Sequence, residues 1–268
     1  MKNLFKPVFV FALSSFFLST SCETKQEIFN ENTTNPEVLD IREIAKTNYD
    51  LVSTVFANPK KYILIGDNTQ KTTMNLDFLV DANKLELHNS LKQYETLKYD
   101  ASIFDNTKAI FSQPNQNLSS FSKESLTHLY QDIDKDFDIQ NMKTVYAKID
   151  NIDKQISSNS NISVEEKKYV KQILGIILAI SEYCHGRMVH KEAFARVECD
   201  VNWGAVAKDA VKGAIVGGVA VGINGFIAGG AATANPVGAV VGGLIGGFIG
   251  AFSGGLLAGT AELISQCI

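Results

Sequence analysis

Between Lys212 and Glu262 the chain carries no charged residue, and sixteen of its twenty glycines lie in that stretch. Glycine in a helix interior costs roughly 1 kcal/mol relative to alanine, so a helix built from such a stretch does not stand alone in water. The spacing shows what offsets that cost. Gly238, Gly242, Gly246, Gly250 and Gly254 recur every fourth residue, and a row of small side chains at i, i+4 lets two helix backbones approach closely. Gly243, Gly247, Gly255 and Gly259 widen the same flat ridge. The preceding segment repeats the device less strictly, with Gly213 and Gly217, Gly218 and Gly222, then Gly225 and Gly229. Ala234-Asn235-Pro236 divides the stretch in two, and each half as a helix is about 33 Å long, enough to cross a bilayer core. The expectation is a glycine-zipper helical hairpin over residues 201–268.

The flanks fit a hairpin placed in lipid. Leu244, Phe248, Phe252 and Leu256 form a bulky ridge for lipid or for other protein. Trp203, Lys208 and Lys212 stand where an interfacial aromatic and snorkelling cations are wanted, and Glu262 closes the second helix at the same level. Antiparallel helices also bring Cys199 and Cys267 together at the open end, where a disulfide would clamp the hairpin; Cys184 with Cys199 is the rival pairing.

The other end of the chain reads as an export signal. Lys2 and Lys6 give a positive start, Val8 to Leu18 is apolar apart from Ser14 and Ser15, and small residues Ser19, Thr20 and Ser21 precede Cys22. The apolar run is too short for an ordinary span. The order resembles a lipobox, with Leu18 four places before the cysteine where the family pattern has leucine three before. That resemblance makes Cys22 the lipidated first residue of the mature protein, with residues 1–21 removed. Several acyl chains anchor stably, since each buried methylene contributes about 0.8 kcal/mol and one chain alone is marginal. Residues 22–36, polar and ending in Asn32-Thr33-Thr34-Asn35-Pro36, read as a tether.

Between tether and hairpin, residues 37–200 carry helical periodicity. Ile41, Ile44, Ala45, Leu51, Val52, Val55 and Phe56 share one face, and Asn58-Pro59 stops that helix. Tyr62 to Ile65 suggests a short strand before the Gly66-Asp67-Asn68 turn. A second helix is expected over 75–98, and the Ser-, Asn- and Gln-rich segment 106–122 is expected to be a loop. Met142, Val145, Tyr146, Ile149, Ile152 and Ile156 recur at three and four and mark a further helix. Ser163-Val164-Glu165-Glu166 is a capping box with Ile162 as its hydrophobic staple, and the helix it opens is apolar enough through Ile180 to be the centre of a bundle. The fold class expected is all-α: a soluble helical domain followed by the hairpin.

Lipidated cysteine and hairpin together resemble the glycine-zipper lipoproteins of the bacterial outer membrane. The likeness covers Cys22 and about residues 204–264. It implies an exported protein of the cell envelope, lipid-anchored at the outer membrane. The hairpin is also similar, more weakly, to Gly-rich pore-forming bacteriocins, which implies an antibacterial effector as the alternative.

Catalytic and metal chemistry find little footing. Asp132, Asp134, Asp136 and Asp138 alternate as in a calcium loop, but Phe137 stands where the turn glycine belongs and Lys143 where the bidentate glutamate belongs. A solvated acidic helix face accounts for them better. Cys184, His185, His190 and Cys199 match no zinc spacing, and His88 and His128 are read as isolated surface residues. No nucleophile elbow, phosphate loop or dinucleotide fingerprint appears, so neither an enzyme nor a cofactor is expected. A net charge of -4 without a basic stripe argues against nucleic acid. The partners expected are membrane lipid and a second copy joined through the glycine zipper, whose helix-packing residues are the five-glycine ridge with Gly218 and Gly222.

Overall fold

The computed structural model describes residues 40–59, 63–65, 72–74, 107–112, 118–190, 200–233 and 236–267, and within these the side chains of 40–59, 110–112, 118–190, 200–220 and 250–267. The fold is all-α. Helices α1 (Ile41–Ala57), α2 (Thr107–Ser112), α3 (Ser120–Asp136), α4 (Met142–Ser158), α5 (Val164–Val189), α6 (Trp203–Thr233) and α7 (Pro236–Cys267) follow one another, with β1 (Ile63–Ile65) and β2 (Thr72–Met74) between the first two. The strands form one antiparallel ribbon, Ile63 opposite Met74 and Ile65 opposite Thr72, too small to alter the class. The helix expected over 75–98 and the Gly66 turn lie outside the described residues, as do the signal peptide, Cys22 and the tether.

Local chemistry explains where the helices begin. Asp40 caps α1 by accepting from the Arg42 amide at 2.8 Å, and Ser163 caps α5 by accepting from Glu166 at 3.1 Å. The capping box is only half made. Glu166 turns away from Ser163 and accepts from both the backbone N–H and the hydroxyl of Ser119, each at 2.7 Å. Its carboxylate thus joins the start of α5 to the cap of α3. The 106–122 segment is not simply a loop, since α2 lies within it and α3 opens at Ser120. The serines there serve as cap and first turn.

α5 is the axis of the molecule. From Tyr169 to Tyr183 nearly every side chain is buried, because α1, α4, α6 and α7 all pack around it. Gly175 permits a close approach of α1: a Cβ there would lie 2.6 Å from Ile44 Cβ. Across the axis, Lys171 is buried and held by Asp153 of α4 at 2.9 Å. Arg42 of α1 pairs with Asp150 of α4 at 2.9 Å.

The base of the hairpin belongs to the same core. Val206, Ala207, Ala210, Val211, Ala214, Ile215, Val216 and Val219 of α6 are fully buried, as are Ala251, Phe252 and Leu256 of α7, and they form one cluster with the residues of α1, α3, α4 and α5. The change of composition near residue 200 therefore falls within a continuous core. Phe252 and Leu256, expected to face lipid or another protein, face the chain's own interior. Leu244 and Phe248 lie outside the described side chains.

Candidate functional site: the base of the glycine hairpin

Two helices of 31 and 32 residues, α6 and α7, end at Thr233 and begin at Pro236, and Pro236 takes the first helical position, where its missing N–H is harmless. Their backbones meet at Gly213 and Gly254. A Cβ on either glycine would run into the carbonyl oxygen of the other, and one on Gly254 would also lie 3.1 Å from Gly217 Cα. Only a Cα hydrogen fits there, the arrangement of close helix crossings. Gly218 serves two neighbours, since its Cβ would meet Ile173 of α5 at 2.8 Å and Ala251 of α7 at 3.3 Å. Gly255 and Gly259 turn toward the bundle, where a Cβ would press on Ile180 at 2.6 Å and on Phe56 at 2.8 Å.

The five-glycine register is thus described at its open end only. Gly254 is at the crossing and Gly250 is buried. Gly222, Gly238, Gly242 and Gly246 lie in the helices, but their surroundings are outside the described side chains.

The residues expected at a membrane interface have other duties. Trp203 is 7% exposed; it packs edge-on against Tyr183 at 6.0 Å, with the Arg187 guanidinium 5.0 Å over its ring. Tyr183 stacks in turn on Phe56 at 5.5 Å. Lys212 donates to the Asp134 carboxylate at 2.8 Å and lies 5.0 Å over the Tyr130 ring, while Lys208 donates to the Asp134 carbonyl at 2.7 Å. These two cations hold α6 to α3 rather than snorkelling to lipid headgroups. Asp134 stays on the solvated acidic face, 55% exposed, while it accepts from Lys212. The Lys212 hydrogen bond holds its carboxyl below the usual range. Burial opposes charge on Lys212, yet the bond to Asp134 prevails and its pKa rises.

Further polar contacts bind the hairpin inside and at its open end. The Tyr169 hydroxyl donates to the Gly218 carbonyl in the buried interior, and burial raises the phenol's pKa. At the open end the Asn202 amide donates to Gln266 Oε1 at 2.6 Å, and Gln266 donates to Glu262 at 2.7 Å. Cys267 is disulfide-bonded. Cys184 is a free, buried thiol whose pKa burial pushes up, an inert setting. The rival pairing of Cys184 with Cys199 is thereby corrected; Cys199 lies outside the described residues.

One charge sits poorly here. Half-buried Asp209 has its pKa raised by burial and then by the negative charge of Glu262. Its pKa is higher folded than unfolded, so its ionised form costs stability at neutral pH. That cost fades as pH falls through the folded pKa and is absent below the ordinary aspartate value of about 3.9. Asp209→Asn should therefore raise the melting midpoint at pH 7. Midpoints of the two proteins, followed by circular dichroism, should converge as pH approaches about 4.

His128 is exposed on α3, 3.6 Å from Glu124, beside a cleft of about 300 Å³ between α3 and α4 floored by Leu129 and Ile152. His185 is engaged with the Ile139 carbonyl at 2.8 Å, and His190 is the C-cap of α5. Among the described residues no three His, Cys, Asp or Glu side chains are grouped to hold a metal ion. Among the same residues no helix is long and apolar enough to cross a membrane. No protein-family model, no curated protein and no solved structure matches the chain.

Proposed function

We propose that the chain is a non-enzymatic lipoprotein of the bacterial envelope, anchored through Cys22, whose glycine hairpin engages a membrane or a second copy while the helical body faces other partners. The observation that carries this reading is the glycine-to-backbone crossing of α6 and α7, wedged into the body by buried apolar residues. Glycine at such density, costly in a helix, is accounted for by a hairpin built for close approach. In the base, Gly213, Gly218 and Gly254 have intramolecular neighbours, so these three glycines are not open to a second copy.

Membrane fractionation of Cys22→Ala tests the proposal. Unlipidated protein that resists a carbonate wash and needs detergent is the expected result. Complete release in the wash would remove the hairpin from the membrane and leave protein burial as its purpose.

The second reading, an antibacterial pore-forming effector, is favoured by the packing of the hairpin's base against α5, the arrangement of a stored hairpin. It predicts dye release when purified protein meets vesicles, which a resident anchor does not cause.

A further inference from the structure

We propose that the cleft between α3 and α4 is a docking groove for a basic amphipathic helix of a partner protein. This rests on the part of the reading above that gives the helical body a partner, and not on where the hairpin lies. Both walls of the cleft are pinned from outside it. α3 is held at its start by Glu166 of α5, which accepts from Ser119 at 2.7 Å. Near its other end Lys212 of α6 donates to Asp134 at 2.8 Å. α4 is held by two ion pairs at 2.9 Å, Lys171 of α5 with Asp153 and Arg42 of α1 with Asp150. None of these residues lines the seam between α3 and α4, which stays open as a space of about 300 Å³. A groove fixed in advance spares its occupant the cost of ordering the walls.

The shape fits a helix. The α3 residues lining the space run from Phe121 to Asp132 on one helical stripe, about 17 Å along the axis. Facing stripes of two helices form a trough into which a third lays its apolar side. Leu129 and Ile152 floor it, and Phe121 at its mouth is 38% exposed, an apolar anchor left uncovered. Charge selects the occupant. Glu124 and Asp132, about two turns apart, are exposed on the α3 rim, and the α4 rim opposite carries the neutral Asn151 and Gln155. His128 stands between the two carboxylates, 3.6 Å from Glu124. The lining's one lysine, Lys148, donates to the Asp136 carbonyl at 3.4 Å. Anionic lipid and nucleic acid would meet the two carboxylates unfavourably. A helix with arginine or lysine at the same eight-residue spacing as Glu124 and Asp132 would pair with both.

The test is fluorescence anisotropy of two labelled alanine-based helices of about 15 residues, each with a leucine stripe, titrated with the full-length protein. One peptide carries arginine at two positions with the spacing of Glu124 and Asp132, the other glutamate at both. The arginine peptide should bind roughly tenfold more tightly. Glu124→Lys/Asp132→Lys should abolish that preference. Glu43→Lys/Asp50→Lys, an equal change of charge at exposed positions of α1, should keep most of it. Equal affinity for the two peptides, or binding of neither, would overturn the proposal. So would an equal loss in both variants, which would mean that net charge alone attracts the peptide. Self-association of the natural chain that only the groove variant abolishes would make the occupant a second copy instead, and overturn it too. None of these failures bears on the membrane fractionation of Cys22→Ala, so the anchoring reading stands or falls separately.

Discussion

Gly254→Leu should destabilise the protein by at least about 3 kcal/mol and lower its melting midpoint by roughly 10 °C. The first added carbon already collides with the Gly213 carbonyl and lies 3.1 Å from Gly217 Cα. These are backbone atoms of a helix and cannot rotate away as a side chain does. Relief requires α6 and α7 to separate, which would pull Phe252 and Leu256 from the core they fill. Gly186 provides the internal control. It also lies inside a helix, but a Cβ there meets only the Tyr49 hydroxyl, at 3.7 Å. Gly186→Ala should stabilise by about 0.5–1 kcal/mol through backbone entropy alone. Denaturant titration of both variants checks the contrast; equal effects would mean that close approach is not why glycine occupies position 254.

Asp153→Ala should cost about 3 kcal/mol, because it leaves the Lys171 ammonium buried without its partner. Lys171 has 5% of its side chain exposed, whereas Asp153 has 23%. Partial access of solvent to the carboxylate sets the loss at the lower end of the range for a broken buried pair. Lys171→Met removes the charge and keeps the volume, so the double variant Asp153→Ala/Lys171→Met should recover most of the loss. Urea denaturation of the single and double variants reads this out. A double variant no more stable than Asp153→Ala would show that the loss comes from packing around Asp153 rather than from the stranded charge.

Some helix starts and the close approach of two helices were legible in the sequence, because each has a local cause, whereas the starts of α2 and α3 were hidden in a segment that reads as a loop. Ser163 followed by Glu166 announces a cap, Asn58-Pro59 a stop, and recurring glycine a close approach. Direction was another matter. In α6 and α7 apolar residues surround the axis, so no polar face points to solvent and none points to the core. Phe252 and Leu256 thus read as a ridge for lipid or for other protein, and they prove to face the core. The contacts that settle their direction connect residues far apart: Lys212 with Asp134, Tyr169 with Gly218, Trp203 with Tyr183. No spacing rule signals such pairs. Gly175 was within reach of sequence reasoning, since a lone glycine in an apolar helix suggests close packing, and Ile44 is indeed the neighbour it admits.

Native-state hydrogen exchange of the full chain tests most directly whether the hairpin's base and the helical body are one cooperative unit. Amides at 206–219 and 251–264 should exchange with the same free energy and denaturant dependence as those at 170–183 in α5, all through global unfolding. Amides of the two hairpin segments that open at much lower free energy, while α5 stays protected, would contradict the account and make the hairpin a separately detachable element.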